Sequence, residues 1–157
     1  MYKRQEHKLA QKFDPFNPLH TAWLGALYTF DGQHEKAIET AFEALEMRED
    51  YLVGYYVLGM AYMELGRVDE AIEAHKKVAE LNPYWKWCLG RTYARAGRID
   101  DAEKILNELE KAPLIPFTAI GRAALNAILG HNEEAFKMLN YEPHHSWTAW
   151  VLSLIHI

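Results

Sequence analysis

The sequence has one cysteine, Cys88, which excludes both an intramolecular disulfide and a zinc site built on several cysteines. No apolar run approaches the roughly 20 residues that a membrane-spanning helix needs. Lysine and arginine number 17 against 22 aspartate and glutamate, so the net charge is -5. The basic face that nucleic-acid-binding domains usually carry is therefore not expected. The strings typical of phosphate-binding loops, dinucleotide sites, zinc proteases and nucleophile elbows are missing too, so nothing in the sequence supports an enzyme.

What the sequence does have is an ordinary globular composition. Of its 157 residues, 50% are hydrophobic and 25% are charged, which is typical of a folded domain with a real core. We therefore expect a single cytoplasmic domain that is not an enzyme, contacts neither nucleic acid nor membrane, and needs no metal or other cofactor.

An internal repeat organises the chain. The string Leu-Gly-x-x-Tyr occurs three times, at 24–28, 58–62 and 89–93. In each copy a second glycine follows the Tyr by four residues, and an alanine follows that glycine by five. A less complete fourth copy keeps Gly130 and Ala135 at the same spacing. Three copies in phase are a strong signal, whereas a single Leu-Gly-x-x-Tyr would be weak.

This pattern resembles the tetratricopeptide repeat, a helix–turn–helix unit of about 34 residues with an aromatic, Leu-Gly, Tyr, Ala and Pro signature. The second copy fits best, from Tyr55 at the aromatic position to a closing Pro83. The first glycine lets the paired helix approach closely, and the second ends the first helix in the left-handed backbone conformation. The resemblance implies an all-α fold, a right-handed α-α solenoid of about four repeats.

The repeats predict eight helices, and we call the first helix of each repeat its A helix and the second its B helix. Apolar residues recur at the helical period in the predicted B helices, for example Ala37, Ile38, Ala41 and Leu45. The array is expected over 6–140, with repeats at about 18–51, 52–82, 83–115 and 116–140. The predicted helices cover about 18–30, 34–46, 51–65, 68–81, 84–96, 99–110, 117–129 and 132–140.

Both ends of the chain are expected to be foreign to the natural protein. The strings at 1–5 and 152–157 resemble the two translated ends of a transposon-derived sequencing adapter. Residues 6–151 are then a fragment of a longer protein, two charges more acidic once Lys3 and Arg4 are set aside. The stretch 141–151 is predicted to be a turn and the start of a truncated C-terminal helix, and its uncapped apolar end around Trp147 and Trp150 is where self-association is expected.

Residues 13–151 are similar to a narrower group, the repeat region at the C-terminal end of large bacterial signalling proteins. The resemblance is carried by the segments 13–19, 87–97 and 130–139. In that group a DNA-binding, adenylyl-cyclase or protein-kinase output domain precedes the repeats. Asn126 departs from the pattern because Tyr is usual there, and the motifs are structural rather than catalytic.

The resemblance also implies a binding site, since such solenoids bind peptides in a concave groove lined by the A helices. The mechanism expected is an extended peptide or helix anchored by Tyr56, Met60 and Trp87 and oriented by Arg91 and Arg95, which are one turn apart and suited to a carboxylate. The full predicted groove set is Thr29, Tyr56, Met60, Met63, Trp87, Arg91, Arg95 and Ile120.

Several alternatives stay open at this point. The two arginines are about as well explained by solvation or by pairing with Asp100, Asp101 or Glu103. His131, His144 and His145 have no ligand-like spacing to a carboxylate or cysteine, so a metal site is much less expected than a solvated turn. Cys88 is expected to be a buried, inert thiol, and most aromatic residues are expected in the core.

The function predicted is a protein–protein interaction scaffold that holds a protein or peptide ligand, such as one bearing a carboxylate. The alternative is a structural or regulatory module that acts by self-association or by docking on its own output domain. An open apolar groove favours the scaffold, and a filled groove favours the module.

Overall fold

The structure, a computed structural model, describes residue 9 and residues 12–140. The two adapter-like ends, His144, His145 and the predicted truncated C-terminal helix lie outside the described residues. Between Pro18 and Leu139 the chain forms α-helices and one short 3-10 turn, Pro83–Trp85, and no strand. The α-helices are α1 Pro18–Phe30, α2 His34–Met47, α3 Leu52–Glu64, α4 Val68–Leu81, α5 Trp87–Arg95, α6 Ile99–Glu110, α7 Pro116–Leu129 and α8 Asn132–Leu139.

The eight helices confirm the predicted all-α class and lie within about three residues of the predicted bounds. The largest difference is the third A helix, expected at about 84–96. There Asn82 caps a 3-10 turn by accepting a hydrogen bond from the Tyr84 N–H, and α5 begins only at Trp87. The spacing between second glycines falls from 34 residues, Gly32 to Gly66, to 31 residues, Gly66 to Gly97, and the 3-10 turn lies within the shorter stretch.

The chain divides into two compact units, 1–81 and 82–157. In the first, α1 packs on α2 and α3 packs on α4, while α3 also contacts both helices of the first hairpin. In the second, α5 packs on α6 and α7 packs on α8, while α7 also contacts α5, α6 and the 3-10 turn. Helical hairpins that follow one another in sequence therefore build both units.

The turn inside each hairpin is the same in all four repeats. The second glycines all have a positive φ, between 72 and 83°. In each case the residue after the glycine donates its N–H to the carbonyl five residues back, at 2.9 Å, which is the bond that closes a Schellman motif. The glycines in question are Gly32, Gly66, Gly97 and Gly130. The prediction that they end the A helices in the left-handed conformation is confirmed.

The first glycines mark close approaches of the paired helices, as predicted. A Cβ built at Gly59 would lie 2.4 Å from the ring of His75 on α4, and one built at Gly90 would lie 2.9 Å from Ile105 on α6. Neither distance is compatible with a real side chain in the present packing.

The A and B helices are buried to different extents. Along α3 every residue from Tyr56 to Ala61 is buried, so this A helix is covered on all sides over more than one turn. The B helices bury a single stripe, such as Ala102, Ile105, Leu106 and Leu109 of α6, and leave a polar face in solvent. The two faces available for binding are therefore the partly exposed ends of the A helices and the outer faces of the B helices.

Candidate functional site

The predicted groove residues divide into two groups by exposure. Met63, Arg91 and Ile120 are half-buried and Arg95 is exposed, so these four side chains reach solvent. The other four, Thr29, Tyr56, Met60 and Trp87, are all buried. Only the first group can therefore contact a ligand through its side chains. The groove itself stays a prediction.

The buried members of the first unit have clear packing roles. Tyr56 has no exposed surface, and its ring centroid lies 6.0 Å from that of His75. Thr29 donates its hydroxyl to the Gly25 carbonyl one turn earlier in α1, at 3.2 Å. The Tyr56–His75 contact holds the A helix α3 against its B helix α4, which is the structural role that most aromatic residues were expected to have, while the Thr29 bond lies within α1.

The second unit carries a cluster of aromatic and cationic side chains at the start of α5. The rings of Trp85 and Trp87 stack with centroids 6.3 Å apart and planes 24° from parallel. The guanidinium of Arg91 lies 5.9 Å from the Trp87 ring centroid, at the distance of a cation–π contact. A Cβ built at Gly121 would lie 2.5 Å from Cδ1 of Trp87, so α7 passes directly against this indole. The aromatic base beneath Arg91 is thereby fixed in place.

Two of the three acidic residues considered as partners for the two arginines, Asp101 and Glu103, have other partners. Asp101 accepts hydrogen bonds from Arg98 Nη2 at 2.6 Å and from Lys104 at 3.2 Å. These bonds, with that from Arg98 first, hold the pKa of Asp101 below its ordinary value. Glu103 Oε1 lies 3.3 Å from His131 Nε2. Within the described residues Arg91 forms no ion pair with Asp100, Asp101 or Glu103, and its guanidinium lies over the Trp87 ring instead.

The tyrosines of the repeat signature sit under cations. Arg67 lies 4.4 Å from the Tyr62 ring centroid and also bonds Glu70, and the hydrogen bond from Arg67 holds the pKa of Glu70 below its usual range. Arg98 lies 4.5 Å from the Tyr93 ring centroid in the same way. These clusters close the hairpin turns, and being exposed they add little stability.

His131 replaces the arginine of that cluster in the fourth repeat. Its Nδ1 lies 3.3 Å from Asn126 Oδ1, and Asn126 stands where the other repeats have Tyr.

Within the part of the chain that the structure describes, no three histidine, cysteine, aspartate or glutamate side chains come together as a metal site would require.

Cys88 is a free thiol in the interior of α5, as predicted. Burial raises its pKa far above the ordinary value, which outweighs the lowering effect of nearby Arg91. The neutral thiol is thus favoured, and its contribution to stability is present below about pH 8.5 and is lost as the pH rises above that.

We expect Cys88 to react with iodoacetamide at least about a hundredfold more slowly in the native chain than in the urea-unfolded chain at the same pH, because alkylation requires opening of α5. The measurement is the rate of mass increase in each state. Similar rates in both states would contradict the burial of this thiol.

Three residues of this region were not singled out by sequence. Trp85 and Gly121 complete the packing of Trp87, and Arg122 is buried against the end of α6. A signal existed for Arg122, since it is a lone charge in the otherwise apolar run 119–125 of α7.

Comparisons with known proteins agree with this architecture. The family model for the tetratricopeptide repeat matches residues 53–84, and the model for the PPR repeat matches residues 89–114. The small glutamine-rich tetratricopeptide repeat-containing protein 2 of Mycosarcoma maydis is 32% identical over 74 residues, which is 47% of this chain and 21% of that protein. The chain therefore spans about a fifth of this relative's length.

Among solved structures, the thermophilic TPR protein TTC0263 of Thermus thermophilus is similar with a TM-score of 0.73 and 24% identity, over 98% of this chain and 89% of that one. MamA gives 0.56 and 23%, over 87% and 82%. YrrB, described as a TPR protein with an unusual peptide-binding site, gives 0.58 and 13%, over 95% and 90%. These matches confirm tetratricopeptide repeats and the predicted solenoid class. Separately, no helix within the described residues combines the length and apolar character needed to cross a bilayer.

Proposed function

We propose that this chain, which carries tetratricopeptide repeats, is a protein–protein interaction scaffold rather than an enzyme. Its ligand is an extended peptide or helix of a partner protein, bound along the A-helix side and ending in, or exposing, a carboxylate. The observation that carries the proposal is the position of Arg91 and Arg95, one turn apart on α5, with Arg91 held over the Trp87 ring.

The chemistry of this pair suits a carboxylate. A guanidinium presents a planar fork of donors that matches the two oxygens of a carboxylate, and stacking on an aromatic ring orients that fork before the ligand arrives. Among the described residues Arg91 forms no ion pair, and Asp101 of the next helix is already engaged by Arg98 and Lys104.

The contacts expected with the ligand follow from exposure. In the second unit, Arg91, Arg95 and Ile120 reach solvent and supply two charges and one apolar surface. In the first unit, Met63 reaches solvent and is a separate apolar contact. Tyr56 and Trp87 act from beneath by packing α3 and α5, which carry Met63 and the two arginines, whereas Thr29 and Met60 are buried and are not expected to contact the ligand.

The experiment is a titration with a fluorescent peptide that ends in acidic residues and a free carboxylate. Replacing both arginines by alanine, Arg91→Ala/Arg95→Ala, is expected to weaken binding about tenfold, since charge-assisted hydrogen bonds are lost. The measurement is fluorescence anisotropy, repeated with the same peptide amidated at its C-terminus, which should also bind more weakly.

A matched control is Lys76→Ala/Lys77→Ala, which removes two positive charges from α4. This control should bind the peptide as the unchanged chain does, because α4 takes no part in the proposed site. Equal affinity of the two double variants would remove the carboxylate-binding proposal.

A second candidate function is self-association, which the exposed Phe136 on α8 favours, since 65% of this side chain is in solvent. It predicts sedimentation that depends on concentration over a roughly hundredfold range, whereas a peptide scaffold does not require it. The similarity of residues 13–151 to the repeat regions of bacterial signalling proteins supports a cytoplasmic role beside an output domain, through peptide capture or through docking on that domain.

A further inference from the structure

The outer face of α2 differs from the outer faces of α4 and α6. Positions 39, 42, 43 and 46 follow the i, i+3, i+4, i+7 spacing and so form one face. All four side chains are exposed, and 47% of the Phe42 side chain is in solvent. This face therefore presents an aromatic ring surrounded by three glutamates, Glu39, Glu43 and Glu46.

The same repeat positions in α4 and α6 carry different chemistry. When positions are counted from the second glycine of each repeat, α4 has two glutamates and two lysines. Lys76 stands at the position equivalent to Phe42. The third repeat has two lysines and one glutamate, and Asn107 stands at the position equivalent to Phe42. The equivalent sets are Glu73, Lys76, Lys77 and Glu80 in the second repeat and Lys104, Asn107, Glu108 and Lys111 in the third. The α4 set carries no net charge, the third-repeat set carries one net positive charge, and neither contains an aromatic residue, whereas the α2 set has three negative charges around Phe42.

The charges on α2 also lack local compensation. On α4, Lys76 pairs with Glu73 at 2.7 Å and Lys77 pairs with Glu80 at 3.5 Å. Glu108 of α6 pairs with Lys86. Among the described residues none forms an ion pair or a side-chain hydrogen bond with Glu39, Glu43 or Glu46. The three carboxylates and the ring beside them thus have no partner within the described part of the chain.

We propose that this α2 face is a docking surface for a basic amphipathic helix of a partner protein, one that places an apolar side chain against Phe42 and lysines or arginines against the three glutamates. Charge complementarity sets the sign of the partner. A second copy presenting the same face would bring like charges together, and an anionic membrane would be repelled, so a cationic helix is the occupant that fits.

The probe is a synthetic helical peptide of leucine and lysine, with lysines flanking a single leucine stripe, titrated against the full chain by fluorescence anisotropy. We expect saturable binding that weakens as salt is added. Phe42→Ser should weaken binding about tenfold because the buried aromatic contact is lost. Glu39→Gln/Glu43→Gln should weaken it about fivefold through the loss of two surface charge pairs.

The matched control is Glu73→Gln/Glu80→Gln, which makes the same charge change on α4. It should alter the affinity less than about twofold, since the peptide is expected to bind the α2 face and not negative charge elsewhere on the chain. Equal losses in the two double variants would overturn the proposal, as would binding that never saturates. Self-association of the unchanged chain that Phe42→Ser abolishes would assign the face to a second copy and would overturn it too. Every substituted side chain is exposed, so far-UV circular dichroism should be unchanged.

Discussion

Replacing Gly59 with alanine is expected to lower the free energy of unfolding by about 3 kcal/mol, in the upper range for overpacking of a core. The added methyl would lie 2.4 Å from the His75 ring, which is 1% exposed and packed beside Tyr56. The ring cannot swing into solvent, so α3 and α4 must separate. The measurement is urea unfolding followed by circular dichroism.

Two controls separate the clash from other effects of the substitution. Gly66→Ala in the same repeat meets no atom within 4 Å and should cost only about 1 kcal/mol, from its positive φ of 72°. In a chain that already carries His75→Ala, the Gly59→Ala change should cost at least about 1 kcal/mol less than in the unchanged chain. A Gly59→Ala variant as stable as the unchanged chain would show that the repeat tolerates a wider spacing of its two helices.

Replacing Arg122 with methionine is expected to cost about 2–3 kcal/mol, because two carbonyls lose a charged donor. Arg122 is 7% exposed, and its Nη2 donates to the carbonyls of Leu109 and Ala112, the latter at 2.5 Å. These carbonyls lie at the C-terminal end of α6 and in the linker that follows, where the helix dipole also favours a cation. The side chain therefore joins the third repeat to the fourth.

Arg122→Lys tests the geometry of this contact, since it keeps the charge but cannot reach both carbonyls with one planar group. It should fall between the unchanged chain and Arg122→Met in urea unfolding. Arg91→Met, at a half-buried position of the same unit, should change stability much less. An Arg122→Met variant more stable than the unchanged chain would mean that desolvation of the buried charge outweighs its hydrogen bonds.

The fold could be read from sequence because its rules are local. A second glycine four residues after the Tyr specifies the end of the A helix, since few other residues adopt a positive φ there. The spacing between second glycines falls to 31 residues from Gly66 to Gly97, which also showed that the chain shortens between the second and third hairpin turns. It did not show how, because a 3-10 turn at Pro83–Trp85 and a shorter regular helix satisfy the same spacing.

The candidate site was less predictable because exposure is a tertiary property. Repeat position assigns Tyr56 and Trp87 to the groove side of their helices, yet both are buried, since α3 is covered on all sides there and Gly121 brings α7 against the Trp87 ring. The contrast between α2 and the other B helices is present in the sequence. It becomes informative only when the ion pairs of α4 and α6 are known.

This chain therefore carries two proposed binding surfaces of opposite charge. The cationic surface on α5 consists of Arg91 and Arg95 over an indole, and the acidic surface on α2 surrounds Phe42 with glutamates. A scaffold that binds one partner at each surface would hold the two by different chemistry. Raising the salt concentration should weaken both interactions, because each depends on charge at least partly exposed to water.

Binding of a carboxylate-bearing peptide at α5 can be mapped residue by residue from amide chemical shifts. An acidic peptide with a free C-terminus is titrated into ¹⁵N-labelled chain. We expect saturable shifts at Arg91, Arg95 and Ile120, with the amides of 39–46 unchanged. Shifts that are absent at α5, or that are as large along α2 as along α5, would contradict it.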